Sequence, residues 1–191
     1  MTPQVAGGAW RRGPGVRRPA PAESREEVFS CVAFRVGGEE YAIDILKVLE
    51  ITRPLKVTSV RRAPRWIEGI VNLREHVLPV VDLSRRLGAE PDPALAGERR
   101  IVIARTRGQI VGFIVDGVRE VLRVPSSRID PVPRAIKGRD ASFLARVARQ
   151  GERLVIVLDV DLLLSAEEEA DLKGASWNPP RTGGPSGAGA A

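Results

Sequence analysis

The residue types that most often perform chemistry in proteins are scarce in this sequence. It contains one histidine, His76, and one cysteine, Cys31. His76 stands beside Glu75 in a predicted turn, without the Cys, Asp or His partners at the spacing that a metal site or a general base requires. Cys31 lies inside a predicted strand, a position that favours a small buried hydrophobic residue over a nucleophile.

Three aspartates, Asp82, Asp159 and Asp161, form a conceivable acidic cluster. However, Asp82 and Asp159 each follow an apolar strand and precede a predicted helix, where a carboxylate accepts hydrogen bonds from the first helical turn. The pair Gly37-Gly38 leads into a strand, so it is not a glycine-rich phosphate loop. The sequence therefore predicts interaction surfaces instead of a reaction centre: no catalytic residues, no metal, no cofactor, and no hydrolase, transferase or nucleotide-binding activity.

The composition is that of a folded protein with a basic surface. The chain has 191 residues, 43% of them hydrophobic, which excludes disorder along its whole length. No apolar run approaches the ~18 residues needed to span a bilayer. The single cysteine excludes an internal disulfide framework and favours a reducing cytosol. The net charge of +6 suggests nucleic acid, but only 4% of the residues are aromatic, so a surface that stacks bases is hard to build.

Both ends of the chain differ in composition from its middle. Residues 1–26 are rich in Arg, Pro, Gly and Ala, and residues 173–191 are rich in Gly, Pro and Ala. Such stretches have too little apolar surface to form a core, so we predict two disordered tails around one folded domain, residues 27–172. The arginine pairs of the first tail lack the apolar segment that a twin-arginine export signal needs.

The middle of the chain shows the period-two alternation that indicates β-strands. Residues 29–36 and 39–43 form a predicted hairpin around Gly37-Gly38, and a short turn then leads into a third strand that ends at Ile51. Further strands are predicted at residues 70–73, 77–81, 100–106, 109–115, 118–124, 143–148 and 153–158. Helices are predicted at residues 83–87, closed by Gly88, and from about Val160 to Leu172.

The two halves of the chain repeat one pattern. In the first half, a short strand, a turn and the apolar strand at residues 77–81 lead to Asp82 and a helix. In the second half, a short strand, a turn and the apolar strand at residues 154–158 lead to Asp159 and a helix. Regularly spaced strands with turns between them favour small antiparallel barrels. The sequence therefore predicts an all-β fold with short helices, in which two barrels pack on a shared core.

Two neighbouring segments resemble the motifs of a known family. Residues 69–74 read GIVNLR and residues 77–83 read VLPVVDL. They are similar to the G-x-x-N-L-R-G and P-x-x-D-L motifs of the CheW family of chemotaxis coupling proteins. Residues 38–51 look like the family's first hairpin and third strand, and residues 112–122 like the corresponding stretch of its second half. The resemblance runs in register from about Phe29 to Leu164, and it implies two five-stranded SH3-like β-barrels and no catalysis.

The resemblance also implies an adaptor function. Such proteins bridge the cytoplasmic tip of a chemoreceptor (a methyl-accepting chemotaxis protein) to the regulatory domain of a CheA-like histidine kinase. We therefore expect a cytoplasmic protein, recruited to receptor arrays at the inner face of the membrane without direct membrane insertion. The residues that match the family's receptor-facing groove and its surroundings are Val48, Glu50, Gly69, Arg74 and Val121. The kinase contact is expected on the outer surface of the first barrel, at Pro54, Lys56, Val57 and Arg61.

One position departs from the family's pattern. Where the family usually has a glycine after the arginine of N-L-R, this sequence has Glu75 and His76. A tight turn often needs a positive φ there, so we expect either a different turn geometry or a surface specialised for a different partner.

Three alternatives to the adaptor stay open. One is a basic barrel protein that binds nucleic acid, and another is a CheW-like scaffold in a signalling pathway other than chemotaxis. The third is the same fold as part of the kinase or beside a receiver domain. That reading needs an ATP-binding segment upstream or a receiver domain downstream.

Overall fold

The computed structural model describes residues 26–61, 63–74, 76–133 and 142–174. The predicted tails, residues 1–26 and 173–191, lie outside these ranges apart from Glu26 and the last two residues of the final helix. Within the described ranges, every helix is too short or too polar to cross a bilayer.

The described residues form strands, two α-helices and short 3-10 helices. The strands are β1 Val28–Val36, β2 Glu39–Asp44, β3 Val48–Thr52, β4 Ile67–Leu73, β5 His76–Asp82, β6 Arg100–Arg105, β7 Ile110–Val115, β8 Gly117–Pro125, β9 Ile129–Pro131, β10 Leu144–Gln150 and β11 Arg153–Leu158. The helices are α1 Leu83–Leu87 and α2 Ala166–Gly174, with 3-10 helices at Ile45–Lys47, Pro93–Glu98 and Ser126–Arg128. Local signals place these elements: the β1–β2 hairpin, for example, turns at Gly37 and Gly38, which both have positive φ.

The strands form two sheets, and each curls into a small barrel. The first barrel has the strand order β3-β6-β7-β5-β4, and an isolated bridge between Thr58 and Ile70 joins the chain that leaves β3 to the opposite edge, β4. The second barrel has the order β8-β1-β2-β11-β10-β9. Its edge strands β8 and β9 are consecutive in the chain, separated only by Ser126–Arg128, and so act as one interrupted strand. The predicted pair of barrels is confirmed.

The two halves of the chain exchange their first hairpins. The β1–β2 hairpin lies in the second barrel, where β2 pairs in parallel with β11. The β6–β7 hairpin, which opens the second half, lies in the first barrel, where β7 pairs in parallel with β5. The sequence predicted the repeat but not this exchange. Neither half of the chain therefore contains a complete barrel.

Three groups of buried side chains follow from this arrangement. The interior of the second barrel contains Cys31, Ala33, Ala42, Leu122, Val124, Ala148, Val155 and Val157. The interior of the first barrel contains Val71, Leu78 and Val80. The largest group lies between the barrels and includes Phe34, Ile43, Phe113 and Leu158. Both strand faces are consequently buried in the central strands, which explains why β1 packs Cys31 and Phe34 on opposite sides.

The two predicted helix-capping aspartates behave differently. The Asp82 carboxylate accepts a hydrogen bond from the backbone N–H of Arg85 (3.2 Å) and caps α1, as predicted. The prediction for Asp159 was wrong, because its carboxylate accepts a hydrogen bond from the backbone N–H of Asp161 (2.9 Å) and closes a tight turn. The final helix begins at Ala166 instead of near Val160, and Ser165 caps it.

Candidate partner-binding surface

The structure brings together two of the residues predicted to face a receptor. The guanidinium Nη2 of Arg74 lies 3.2 Å from the Glu50 carboxylate Oε1. The side chain of Arg74 is 79% exposed and that of Glu50 is 31% exposed. Glu50 lies on β3, one edge of the first barrel's sheet, and Arg74 lies in the turn after β4, its other edge. The ion pair therefore joins the two edges of the sheet at the protein surface.

The turn that holds Arg74 has an unusual backbone. Arg74 has φ of +47°, and among the described residues no other non-glycine residue has positive φ. The positive φ expected in this turn thus falls on the arginine, while Glu75 lies outside the described residues. The imidazole Nδ1 of His76 lies 3.0 Å from the Arg74 carbonyl oxygen, a hydrogen bond in which the ring donates. The lone histidine is exposed and supports the turn.

Val48 and Val121 lie on edge strands of the two barrels, β3 and β8. Val48 is half-buried against the core between the barrels. Val121 is 52% exposed on β8, the edge strand of the second barrel. Each strand has a register shift just before its glutamate, Glu50 in β3 and Glu120 in β8. Glu120 also pairs with an arginine next to a hairpin turn, Arg153, at 3.2 Å. The repeat therefore places a glutamate–arginine pair on each barrel.

Gly69 is buried, unlike the other residues predicted near the groove. Its φ is +152°, and a Cβ atom there would lie 2.3 Å from the carbonyl oxygen of Thr58 and 2.7 Å from Cγ1 of Val57. A side chain at position 69 would therefore not fit between β4 and the segment that follows β3. Gly69 is therefore positioned to hold that segment against the barrel, and it does not itself present a contact surface.

The predicted kinase-facing residues lie on this same segment. Pro54, Lys56 and Arg61 are exposed. Val57 is half-buried and packs with Leu55 against the core of the first barrel. Of the four predicted contacts, Val57 is thus an anchor of the segment, and the other three are available to a partner.

A buried charged cluster, missed in the sequence, lies where the chain crosses between the barrels. Asp82 and Asp116 are 2% and 1% exposed, and the guanidinium of Arg99 lies 3.3 Å from Asp82 and 3.8 Å from Asp116. Asp116 also accepts a hydrogen bond from the backbone N–H of Gly37 (2.8 Å), at the exchanged hairpin. Because both carboxylates are buried, their partners are needed to offset the cost of burial. The position of Asp116 directly after an apolar strand was the available sequence signal.

A second missed contact fastens the C-terminal helix to the first barrel. Arg86 on α1 lies over the ring of Trp66, 4.7 Å from its centroid. It donates hydrogen bonds to the carbonyl oxygen of Leu163 (2.8 Å) and to the Glu168 carboxylate (3.1 and 3.2 Å). One arginine therefore connects both barrels through stacking and charge-assisted hydrogen bonds.

The side chains with reactive groups are buried or hold the fold together. Cys31 is fully buried, and burial first and the nearby Asp44 second raise the pKa of its thiol to about 11. Burial also raises the pKa of Tyr41, helped by the hydrogen bond that its hydroxyl donates to Glu39 (2.7 Å). In the described ranges, no three His, Cys, Asp or Glu side chains are grouped so that they could hold a metal ion.

Comparison with known proteins identifies the fold. Residues 30–168 match the model of the CheW-like domain. The chain is 38% identical over 138 residues to the chemotaxis protein CheW of Klebsiella aerogenes, covering 72% of this chain and 82% of that protein. It is 34% identical over 145 residues to CheW of Helicobacter pylori, covering 76% and 87%. The scaffolding protein TtCheW of Thermoanaerobacter tengcongensis superposes with a TM-score of 0.68 at 30% identity, over 74% of this chain and 96% of TtCheW. The chain therefore belongs to the CheW-like family of chemotaxis scaffold proteins.

Proposed function

We propose that this protein is a non-catalytic adaptor that couples chemoreceptors to a CheA-like histidine kinase. The observation that supports this proposal best is the exposed Glu50–Arg74 pair, which lies at the joined edges of the first barrel in a CheW-like fold. Its partners are the cytoplasmic tip of a methyl-accepting chemotaxis protein and the kinase regulatory domain. It acts in the cytoplasm, in receptor arrays at the inner face of the membrane.

The proposed receptor-facing surface contains Val48, Glu50, Arg74 and Val121. An arginine whose side chain is 79% exposed has most of its five N–H donors free, so it can bind a carboxylate or carbonyl of the receptor while it keeps its contact with Glu50. When a partner covers this pair, water is excluded and each charge depends on the other. The pair therefore contributes little in the free protein and more in the complex.

The chemistry of the described residues supports an adaptor without catalysis. A nucleophile needs an adjacent base and a group that stabilises the transition state. The single cysteine is a buried thiol with a raised pKa, and the single histidine supports a turn. We therefore propose that the protein acts only by binding.

The test is reconstitution of the ternary complex. The protein is combined with receptor-containing membranes and with the kinase from the same organism, and receptor-dependent kinase autophosphorylation is measured. Arg74→Ala is compared with Arg107→Ala, which removes an exposed arginine from the β6–β7 turn. We expect loss of receptor association and kinase coupling with Arg74→Ala only. The binding cost is roughly 2–5 kcal/mol, because Glu50 is left unpaired in the interface. Unchanged coupling with Arg74→Ala would refute the role of the pair, and no coupling by the wild-type protein would refute the adaptor.

A further inference from the structure

An apolar groove lies on the outer side of the second barrel, beside the tip of the β1–β2 hairpin. It has a volume of about 410 Å³, and Val147, Leu154 and Ile156 form its apolar lining. Leu154 is 62% exposed, whereas the other two side chains are half-buried against the core between the barrels. The groove thus continues that core to the surface, and covering it would remove a contiguous apolar patch from water.

Carboxylates surround this groove. Glu39 and Glu40 belong to its lining, and Glu152 lies in the turn before Arg153. Arg153, the cation of the lining, already contacts Glu40 (2.7 Å) and Glu120 (3.2 Å). Glu39 and Glu152 are exposed, and within the described ranges neither lies in an ion pair. The rim of the groove therefore has negative charge left for a cationic occupant.

The N-terminal tail has charges of the opposite sign. Residues 1–25 contain five arginines and one glutamate, so they carry four of the chain's six net positive charges. The aromatic residue of this tail, Trp10, directly precedes Arg11 and Arg12. A buried tryptophan removes a large apolar area from water, and guanidinium groups form charge-assisted hydrogen bonds with carboxylates. The Trp-Arg-Arg sequence therefore matches an apolar groove with a carboxylate rim.

The tail is long enough to reach the groove. It joins the domain at Glu26, next to the start of β1, and the groove lies at the other end of that strand. A strand of nine residues spans about 30 Å. The 16 residues from Trp10 to Arg25 span up to about 50 Å when extended. Attachment to the same chain raises the effective concentration of Trp10 at the groove to about the millimolar range, so a weak contact is populated.

We propose that the groove binds the N-terminal tail of the same chain, with Trp10 in its apolar part and Arg11 and Arg12 at the carboxylates of its rim. The tail needs no core of its own for this contact, because the domain supplies the apolar surface. In the free protein the tail covers Leu154.

The experiment measures paramagnetic relaxation in the full-length protein. Ala9→Cys places a nitroxide label next to Trp10, and Ser176→Cys places the same label next to the tryptophan of the other tail, which has uncharged neighbours. Cys31 is fully buried, so it stays unlabelled in the folded protein. We expect the first label to weaken the methyl signals of Leu154 at least about twofold, and the second label to leave them unchanged.

Two double variants test the contribution of charge. Glu39→Gln combined with Glu152→Gln neutralises the rim and keeps an acceptor for the Tyr41 hydroxyl. Glu27→Gln combined with Glu167→Gln makes the same change of net charge at exposed sites outside the groove. Circular dichroism and urea unfolding first establish that both variants fold. We expect the rim variant, or salt at about 0.5 M, to restore most of the lost signal and the control variant to restore none.

The remaining outcomes decide between occupants of the groove. Trp10→Ala in the Ala9→Cys protein should abolish the effect, because two arginines alone lack the apolar anchor. Dilution should leave the effect unchanged, since the contact is intramolecular. An effect that disappears on dilution would show that a second copy supplies the tail, and it would overturn the proposal. Unchanged Leu154 signals with the first label, or equal effects of the two labels, would overturn it as well. None of these measurements involves a receptor or a kinase, so the adaptor function is tested separately.

Discussion

At the residue scale, the backbone conformation at position 74 favours glycine, whereas the ion pair with Glu50 requires an arginine side chain. Its φ of +47° is a conformation that glycine adopts without strain, whereas its side chain makes the ion pair with Glu50. A glycine in its place would relax the turn and lose the pair. A long charged side chain at a position that favours glycine supports the proposal that the guanidinium is needed for binding.

We predict that Arg74→Gly and Arg74→Ala separate the effect of the backbone conformation from that of the ion pair. Both variants lose the exposed ion pair, which is worth about 0–1 kcal/mol in the free protein. Arg74→Gly also removes the cost of a left-handed residue, so it should be more stable than Arg74→Ala by about 1–2 kcal/mol. Urea unfolding of both variants measures this difference, and both should still bind receptor poorly. Equal stabilities would show that the turn is not strained.

The buried thiol of Cys31 makes stability depend on alkaline pH. Its pKa is about 11 in the folded protein against 9.0 ordinarily, so the unfolded chain loses this proton first as the pH rises. The contribution is therefore complete below about pH 9 and lost as the pH rises through about 11. We predict that the free energy of unfolding falls over this range, and that the fall is shallower in Cys31→Ala. The fall persists in part in Cys31→Ala, because folding also raises the pKa of Tyr41. Identical pH profiles would exclude a contribution from Cys31.

At the element scale, the position of the segment that follows β3 depends on one glycine of β4. Two glycines with positive φ differ in their surroundings: a Cβ at Gly69 would meet the Thr58 carbonyl oxygen at 2.3 Å, whereas nothing lies within 4 Å of a Cβ at Gly38. Gly38 is thus a control position, at which a substitution causes backbone strain without a steric clash. Comparing the two positions isolates the effect of packing between β4 and the segment that follows β3.

We predict that Gly38→Ala costs about 1–2 kcal/mol of folding free energy. Gly69→Ala should cost roughly 3–5 kcal/mol, because overpacking adds to the backbone strain. Amide hydrogen exchange at Thr58 and Ile70 should accelerate only in Gly69→Ala, since those two residues form the bridge. Equal effects of the two substitutions would mean that the close approach is not needed.

At the scale of the whole molecule, the exchanged hairpins prevent either half of the chain from folding alone. Each barrel needs a hairpin from the other half, and the largest group of buried side chains lies between the barrels. The cluster of Asp82, Arg99 and Asp116 reinforces the crossing point. We therefore expect the two barrels to unfold as a single cooperative unit.

This cooperativity is testable with one substitution in each barrel. Val71→Ala removes buried atoms from the first barrel and Val155→Ala from the second, each at about 1–3 kcal/mol. The slowest-exchanging amides of both barrels should lose protection by the same amount in either variant. Loss of protection confined to the mutated barrel would contradict a single unit.

Local sequence signals predicted most of the elements, but they did not place the start of the last helix. The predicted turn at Gly37-Gly38 and the cap at Asp82 are confirmed, because they depend on neighbouring residues only. The start of α2 at Ala166 is also predictable, because Ser165 and Glu168 have the spacing of a capping box. The backbone N–H of Glu168 donates to the Ser165 hydroxyl (3.1 Å), and the backbone N–H of Ser165 donates to the Glu168 carboxylate (2.7 Å). The prediction placed the start of this helix after Asp159 because Asp159 repeats the pattern of Asp82.

The sequence by itself determined the all-β class, the repeated halves, the family and the residues of the Glu50–Arg74 pair. Alternation, turn residues and motifs are short-range properties, so they can be read in order along the chain. Only the tertiary structure decided that the halves exchange hairpins, that Gly69 is buried and Val57 half-buried, and that Asp82, Arg99 and Asp116 meet. The physical reason is that strand pairing and burial between distant segments depend on how all the apolar faces are covered at once, and local patterns do not specify that arrangement.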